Sequence, residues 1–427
     1  MSLSALNAHG LKNAVTTRDA QIVSKEQREV RVMAANRPAK RLDDVDDRRN
    51  THDFNYALRW GTMTYLSPLL DRPRAAAFQG GSLLDKEGVA WHYGDPLVEQ
   101  RYVENGTAVI DRSQRRVLAV TGPEAAVYLN NLLSQKLDDA PSGYAASALD
   151  LDIQGHILHA ADVAVVSPTE IYLDVPDAQF ESLRDYLTKM IFWSQVEVAE
   201  ADLAILTLLG KPVDGFDAAA AGIAFDRTVD WLGAPRRDLA VLRADLVDAV
   251  EALEAAGAHL AGLMAFTAER VRAREPELAA DLDEKAIAHE VPQWIGRGEH
   301  PGAVHLNKGC YRGQETVARV ENLGRSPRLL VLLYLDGSAP DRPEPGADIL
   351  SGPGGRRVGR LGTVVDDCDF GPIALGLVKR SALTGADLVT GPLGGEANVA
   401  ASVEPESIPT DEGPKAGRAA VEKLRGR

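Results

Sequence analysis

Cysteine is nearly absent. The 427 residues contain two, Cys310 and Cys368, which excludes a disulfide framework and any all-cysteine metal site supplied by one chain, and leads us to expect a reducing compartment. Long apolar runs are missing too. A bilayer-spanning helix needs roughly 18–20 apolar residues, whereas the run Leu329–Leu335 has the length of a strand. Met1–Asn50 is charged throughout and has no apolar core of a secretory signal, so the expectation is a cytoplasmic protein without a membrane partner. Excess positive charge is also lacking. With 47 Lys+Arg against 62 Asp+Glu, the net charge is −15, which argues against holding duplex nucleic acid or an anionic membrane by bulk charge, although a local basic patch stays open. Four familiar devices do not occur: G-x-x-x-x-G-K-[ST], a helix-opening G-x-G-x-x-G, H-E-x-x-H and G-x-S-x-G. Phosphate-loop, zinc-protease and α/β-hydrolase chemistry therefore lose their usual carriers.

What is present divides into unequal parts, and the length suggests two or three domains. Residues 1–64 are polar, and Arg37–Asn50 is a dense run of both charge signs. Residues 1–50 hold ten Lys/Arg and seven Asp/Glu, a local +3. Such a segment buries too little to offset its ordering entropy and is expected to be disordered. Residues 404–427 read as a flexible tail. Between them, residues 65–325 change local type repeatedly: a strand at Arg116–Val120, a helix carrying Leu129, Leu132, Leu133 and Leu137, a hairpin of Ala161–Val166 with Glu170–Val175, a helix capped by Asp177, and a strand at Leu203–Leu209. Asp238–Leu260 reads as the longest amphipathic segment, with Leu239, Leu242, Leu246, Val250 and Leu253 on one stripe. From 326 to 403 short apolar strands alternate with Gly/Pro turns, which suggests a small barrel or sandwich, with the boundary near Gly324–Pro327.

Few residues are candidates for chemistry. His156 and His159 form H-x-x-H, but on a strand positions three apart face opposite ways and cannot share a metal. No metal site is expected. Cys368 lies in an acidic stretch and reads as a packed or exposed thiol. Val304–Glu321 (VHLNKGCYRGQETVARVE) is the informative segment. Lys308 and Arg312 flank Cys310 at two residues, and nearby cations favour a thiolate. If Val304–Cys310 is extended, Lys308 and Cys310 share a face with Val304 and Leu306. The alternative is that Cys310 packs as a small apolar residue in a tight turn, and spacing alone does not decide between them.

The string Lys308-Gly309-Cys310-Tyr311-Arg312-Gly313-Gln314-Glu315 resembles the K-G-C-Y-x-G-Q-E signature of the YgfZ family of folate-binding proteins, relatives of the glycine-cleavage T-protein. Weaker echoes are Val120-Thr121-Gly122-Pro123, Asp283-Glu284-Lys285 with His289-Glu290, and Gly371-Pro372-Ile373-Ala374. The resemblance implies an α+β fold: two pseudo-symmetric folate-binding lobes followed by a C-terminal β-barrel. It implies a tetrahydrofolate-type cofactor, with Arg270 and Arg272 in Glu269–Pro276 as candidate contacts, although Arg274 stands where many relatives have Gly. It further implies a role in assembly or repair of iron–sulfur enzymes, including tRNA-modifying ones. Cys310 would be the reactive thiol and Lys308 its electrostatic partner, while Gly309, Tyr311, Arg312, Gly313, Gln314 and Glu315 shape the surrounding pocket. One cysteine cannot hold a cluster alone, so a co-ligand or partner protein would be required. The T-protein's G-G-x-x-D-D-like segment reads Gly155-His156-Ile157-Leu158-His159-Ala160 here, without either carboxylate. Aminomethyl transfer is therefore expected to be lost, and a folate-dependent aminomethyl or methyl transferase of altered specificity is the alternative.

Overall fold

The computed structural model describes residues 65–79, 82–216, 222–385 and 387–409. The expected disordered extension and most of the tail lie outside them. Two five-stranded sheets form the body. The first places β1 (Thr107–Asp111), β7 (Leu203–Gly210), β9 (Arg236–Leu242) and β8 (Ile223–Val229) side by side, with β10 (His259–Ala261) outside β1. The second places β2 (Arg116–Thr121), β5 (Glu170–Val175), β4 (Ile157–Ser167) and β3 (Ala145–Leu151) side by side, with β6 (Glu197–Ala201) outside β2. Both four-strand ladders are antiparallel throughout, and this repeat is the pseudo-symmetry of the lobes. It breaks at the flank, where β10 is parallel to β1 but β6 antiparallel to β2.

Strand alternation assigns the faces. On β4, Ala161, Val163 and Val165 enter a core with α2 (Ala125–Leu132) and α3 (Asp177–Lys189), while Ala164 faces the other sheet and meets Val117, Ile205, Phe225 and Ala240. The inter-sheet face is apolar at those positions and charged two residues along: Asp162 beside Ala164, Arg227 beside Phe225, Asp238 beside Ala240. The remaining helices are α1 (Pro96–Asn105), α4 (Leu246–Ala255), α5 (Leu263–Arg272), α6 (Leu278–Asp281) and α7 (Gln314–Leu323). Asp238–Leu260 is not one amphipathic helix: Leu239 lies on β9, Leu242 ends it half-exposed, and only Leu246, Val250 and Leu253 form the buried helical stripe of α4. The strand wins because Leu203–Leu242 through Leu209–Arg236 pair in an unbroken ladder.

A closed barrel follows, ordered β11 (Arg328–Leu335), β14 (Gly371–Lys379), β13 (Arg357–Asp367), β12 (Asp348–Leu350), β15 (Leu388–Thr390) and β16 (Val399–Val403), which pairs back to β11. The run Leu329–Leu335 lacks polar alternation because it separates two cores. Leu329, Val331, Leu333 and Leu335 fill the barrel, whereas Leu330 and Leu332 pack with Met264, Val271 and Tyr311 of the lobes. The start of the expected tail is ordered: Tyr334 donates to Glu404 (2.6 Å), and Ile408 packs on the barrel core. Among the described residues no helix is long and apolar enough to cross a membrane.

Candidate functional site

Where the charged ends of the two inner faces meet, the sheets part around a cavity of two adjoining hollows of about 490 and 630 Å³, partly open to solvent. Ser147 of β3, Asp162 of β4, Glu275 beyond α5 and Trp294 line both. Asp162 is the electrostatic centre. One carboxylate oxygen accepts from Ser147 (2.9 Å), and the other lies 3.3, 3.6 and 3.8 Å from the guanidiniums of Arg115, Arg236 and Arg227. Behind it, Asp174 pairs with Arg115 (2.6 Å) and Arg227 (2.5 Å), and Asp238 with Arg236 (2.7 Å) and Arg227 (2.9 Å). Burial alone would raise Asp162 and Asp238, but the arginines prevail: Asp162 is held down to about 2, and Asp238 falls below the usual carboxylate range.

Three cavity groups are left with weaker compensation. Arg112 has the Thr207 hydroxyl at 3.2 Å and its nearest carboxylate, Asp238, at 3.9 Å, and it stacks 4.1 Å above the Phe266 ring. Burial, with Arg115 and Arg236 nearby, lowers it to about 9. Burial pushes Asp85 up to about 6 against the pull of Arg115. Glu275 rises to about 7, again through burial, with the charge of Asp162 adding to it.

None of Lys308–Glu315 lines either hollow. Val304–Cys310 is an irregular loop, not a strand: Val304 is buried, and the chain bends at 306–308. Lys308 reaches across to the C-terminal end of α2, where Nζ donates to the main-chain carbonyls of Asn130, Leu133 (2.5 Å) and Gln135 (3.0 Å). A helix end leaves such carbonyls without intrahelical partners, so the ammonium acts as a cap. Burial lowers it to about 8. Cys310 is exposed, so it does not pack as an apolar residue. Gly309 is exposed beside it. The Tyr311 ring, 4.8 Å from the lysine ammonium, enters the core, and burial moves its hydroxyl up to about 12. Arg312 pairs with buried Asp150 (2.6 Å) and stacks on Tyr186. Gly313 has φ +81°, and a Cβ there would lie 2.7 Å from the Asp152 carbonyl oxygen. Gln314 and exposed Glu315 open α7.

Of the two arginines before Pro276, Arg270 borders the larger hollow and is engaged by Asp281 (2.9 Å), Glu277 (3.2 Å) and Thr363 (2.6 Å). Arg272 turns to the barrel, bonding both oxygens of Asp367 at 2.5 and 2.8 Å, and does not line the cavity. The histidines do not converge. His156 faces Asp152 (3.0 Å), and His159 lies between Asp150 and Ser182, 2.8 Å from each. The Ser182 hydroxyl also lies 3.0 Å from the Gln179 carbonyl, so this trio ties α3 to the sheet.

Sequence reasoning missed Asp162, Ser147, Glu275, Trp294 and the guanidinium cluster. A signal existed for Asp162: it is the lone acid in Ala160–Val166, and it shares a strand face with Ala160, the position where a transferase-type aspartate was sought. The cavity thus has a carboxylate, displaced by one strand repeat.

No family model matches the chain. A curated relative from Arabidopsis thaliana, "Putative transferase At1g60990, chloroplastic", is 23% identical over 336 residues, covering 73% of this chain and 74% of that protein. Heterotetrameric sarcosine oxidase from Corynebacterium sp. U-96 aligns over 38% of this chain and 90% of that one at 14% identity, with a TM-score of 0.25. The crystal structure of glycine cleavage system aminomethyltransferase T from Bartonella henselae superimposes with a TM-score of 0.64 at 17% identity, over 80% of this chain and 96% of that one. The two lobes and barrel described above are the fold of that aminomethyltransferase.

Proposed function

We propose that the protein binds a tetrahydrofolate-type ligand in the inter-sheet cavity and supports assembly or repair of iron–sulfur enzymes, including tRNA-modifying ones, through the thiol of Cys310. The cavity carries the proposal. Trp294 and Phe266 supply apolar walls for a flat heterocycle, Asp162 and Glu275 accept hydrogen bonds, and Arg112 attracts an anionic tail. The aminomethyltransferase fold supports the ligand class. Cys310 stands on the surface, where a partner protein reaches it, while Lys308 and Arg312 fix the loop on either side.

Calorimetric titration with tetrahydrofolate should give one saturable site, and Cys310→Ala should leave that site and the fold intact while failing to complement a deletion strain. Full complementation by Cys310→Ala would sink the thiol role, and no saturable heat would sink the ligand.

Asp162 favours a second reading, a folate-dependent aminomethyl or methyl transferase, because it places an ionised carboxylate inside the cavity. That reading requires turnover of tetrahydrofolate with an amine or thiol donor, abolished in Asp162→Asn. A donor panel that yields no methylene- or methyl-folate argues against it.

A further inference from the structure

Carboxyl groups in and behind the cavity divide by whether the protein satisfies them. Asp162, Asp174 and Asp238 each meet at least two guanidiniums. Glu275 stands in both hollows, and no hydrogen bond reaches its carboxyl among the described residues. A carboxyl at the cavity wall with no protein donor is left to whatever enters the cavity, and four arginines within the same cavity are engaged elsewhere. The backbone holds it in place: Arg274, the residue before it, adopts φ +58°, the left-handed region, and its carbonyl accepts from Gln293 next to Trp294. The loop thus places a side chain with no internal partner at the wall shared by both hollows.

We propose that Glu275 is the specificity-determining residue of this cavity, accepting a pair of N–H donors from the ligand's heterocycle, as the 2-amino and ring N–H of a 2-amino-4-oxo-pyrimidine edge present them. The assignment rests on the cavity being the ligand site. Two adjacent N–H groups match two carboxylate oxygens in the bidentate manner of a guanidinium. Trp294, 3% exposed and shared by both hollows, forms the wall beside it. Because the pair forms with the ionised carboxylate, binding displaces the proton that burial retains, and the ligand binds more weakly as the pH falls. The groups facing Glu275 are Asp162, Arg236, Arg270 and Arg112; the first three keep their charge across this range, and Arg112, lowered to about 9, begins to titrate only at its upper end. Asp85 borders the larger hollow and His300 the smaller, so both are controlled for in the test.

The test is calorimetry of the full-length protein with tetrahydrofolate, between pH 6 and 8.5, in buffers of different ionisation enthalpy. Wild type should release close to one proton at pH 6 and almost none at pH 8.5. Glu275→Gln should bind at least tenfold more weakly at pH 8, the size of one charge-assisted hydrogen bond, and lose that release, while Asp85→Asn and His300→Gln keep it. The 2-desamino-2-methyl analogue, which keeps the ring N–H but lacks the 2-amino donor, should lose less affinity between wild type and Glu275→Gln than tetrahydrofolate does. Glu275→Gln that binds tetrahydrofolate like wild type, with the same proton release, overturns the assignment and leaves the folate reading standing. If wild type binds a simple tetrahydropterin in a Glu275-dependent way but not tetrahydrofolate, the folate reading fails and this assignment survives. If it binds neither, both fall.

Discussion

Glu275 should make the empty protein less stable as the pH rises, and replacing it should remove that loss. Burial raises its carboxyl from an ordinary 4.5 to about 7. Between those values the folded chain holds a proton that the unfolded chain has released, so folding is favoured at low pH, and the advantage disappears as the pH passes 7. Each tenfold change in proton affinity corresponds to about 1.4 kcal/mol. The span of about 2.5 pH units therefore amounts to about 3.5 kcal/mol at most, and water entering the cavity reduces it to about 2–3. Glu275→Gln keeps the size and removes the charge. At pH 5, just above the unfolded value, its stability should exceed that of wild type by under about 1 kcal/mol, and at pH 8 by about 2–3 kcal/mol. Asp85, also raised by burial, contributes its own pH dependence to both proteins and cancels in the difference. Urea unfolding at pH 5, 6.5 and 8, followed by circular dichroism, measures it. A difference between the two proteins that stays constant across this range refutes the reasoning, because it would mean that Glu275 finds a partner or full hydration in the folded state.

Three further outcomes follow from the motif and the loop before Glu275. Lys308→Met should destabilise the fold by about 2–4 kcal/mol in urea unfolding, since three carbonyls at the end of α2 lose their common donor; a loss below about 0.5 kcal/mol would show that water replaces it. Gly313→Ala should cost at least about 2 kcal/mol, because φ is positive and Cβ meets the Asp152 carbonyl at 2.7 Å, whereas Gly309→Ala, with no atom within 4 Å of its Cβ, should change stability by under about 0.5 kcal/mol; equal effects would contradict the loop geometry. Arg274→Gly should relieve a left-handed backbone that costs a side-chain residue about 1 kcal/mol, stabilising slightly even after the extra unfolded-state entropy of glycine, and a clear loss would mean that the arginine side chain contributes more than the strain.

Elements whose signal is local were legible in the sequence, and those whose signal is an assembly were not. The Ala161–Val175 hairpin carries its own evidence, β-rich runs joined by Ser167-Pro168-Thr169, and it forms with Ser167 paired to Glu170. The Leu329–Leu335 run is readable as a strand, although its double-sided burial becomes clear only once the barrel is seen to lie against the lobes. Asp238–Leu260 misled because leucines three, four and seven apart arise equally from a strand, a turn and a helix in succession, and the ladder with β7 that decides the matter involves residues far upstream. The cavity was invisible for the same reason. Ser147, Asp162, Arg236, Glu275 and Trp294 are scattered singly along the chain, each unremarkable beside its neighbours, and only the meeting of two sheets brings them within a few ångströms. The Cys310 segment stood out because eight adjacent residues carry its pattern.

That difference bears on how the two candidate sites relate. The motif's side chains mostly hold the loop: Lys308 caps α2, Tyr311 anchors in the core, Arg312 pairs with Asp150, and Gly313 permits close approach to Asp152. Cys310 is left exposed among anchored neighbours, so its accessibility is built in and does not depend on opening the structure. The cavity lies on the opposite side of the β3–β4 pair. Asp150 and His159, which pair across these strands, face the motif and α3, while Ala160 and Asp162 face the cavity. The two adjacent strands that support the thiol loop thus also carry the acid at the centre of the cavity.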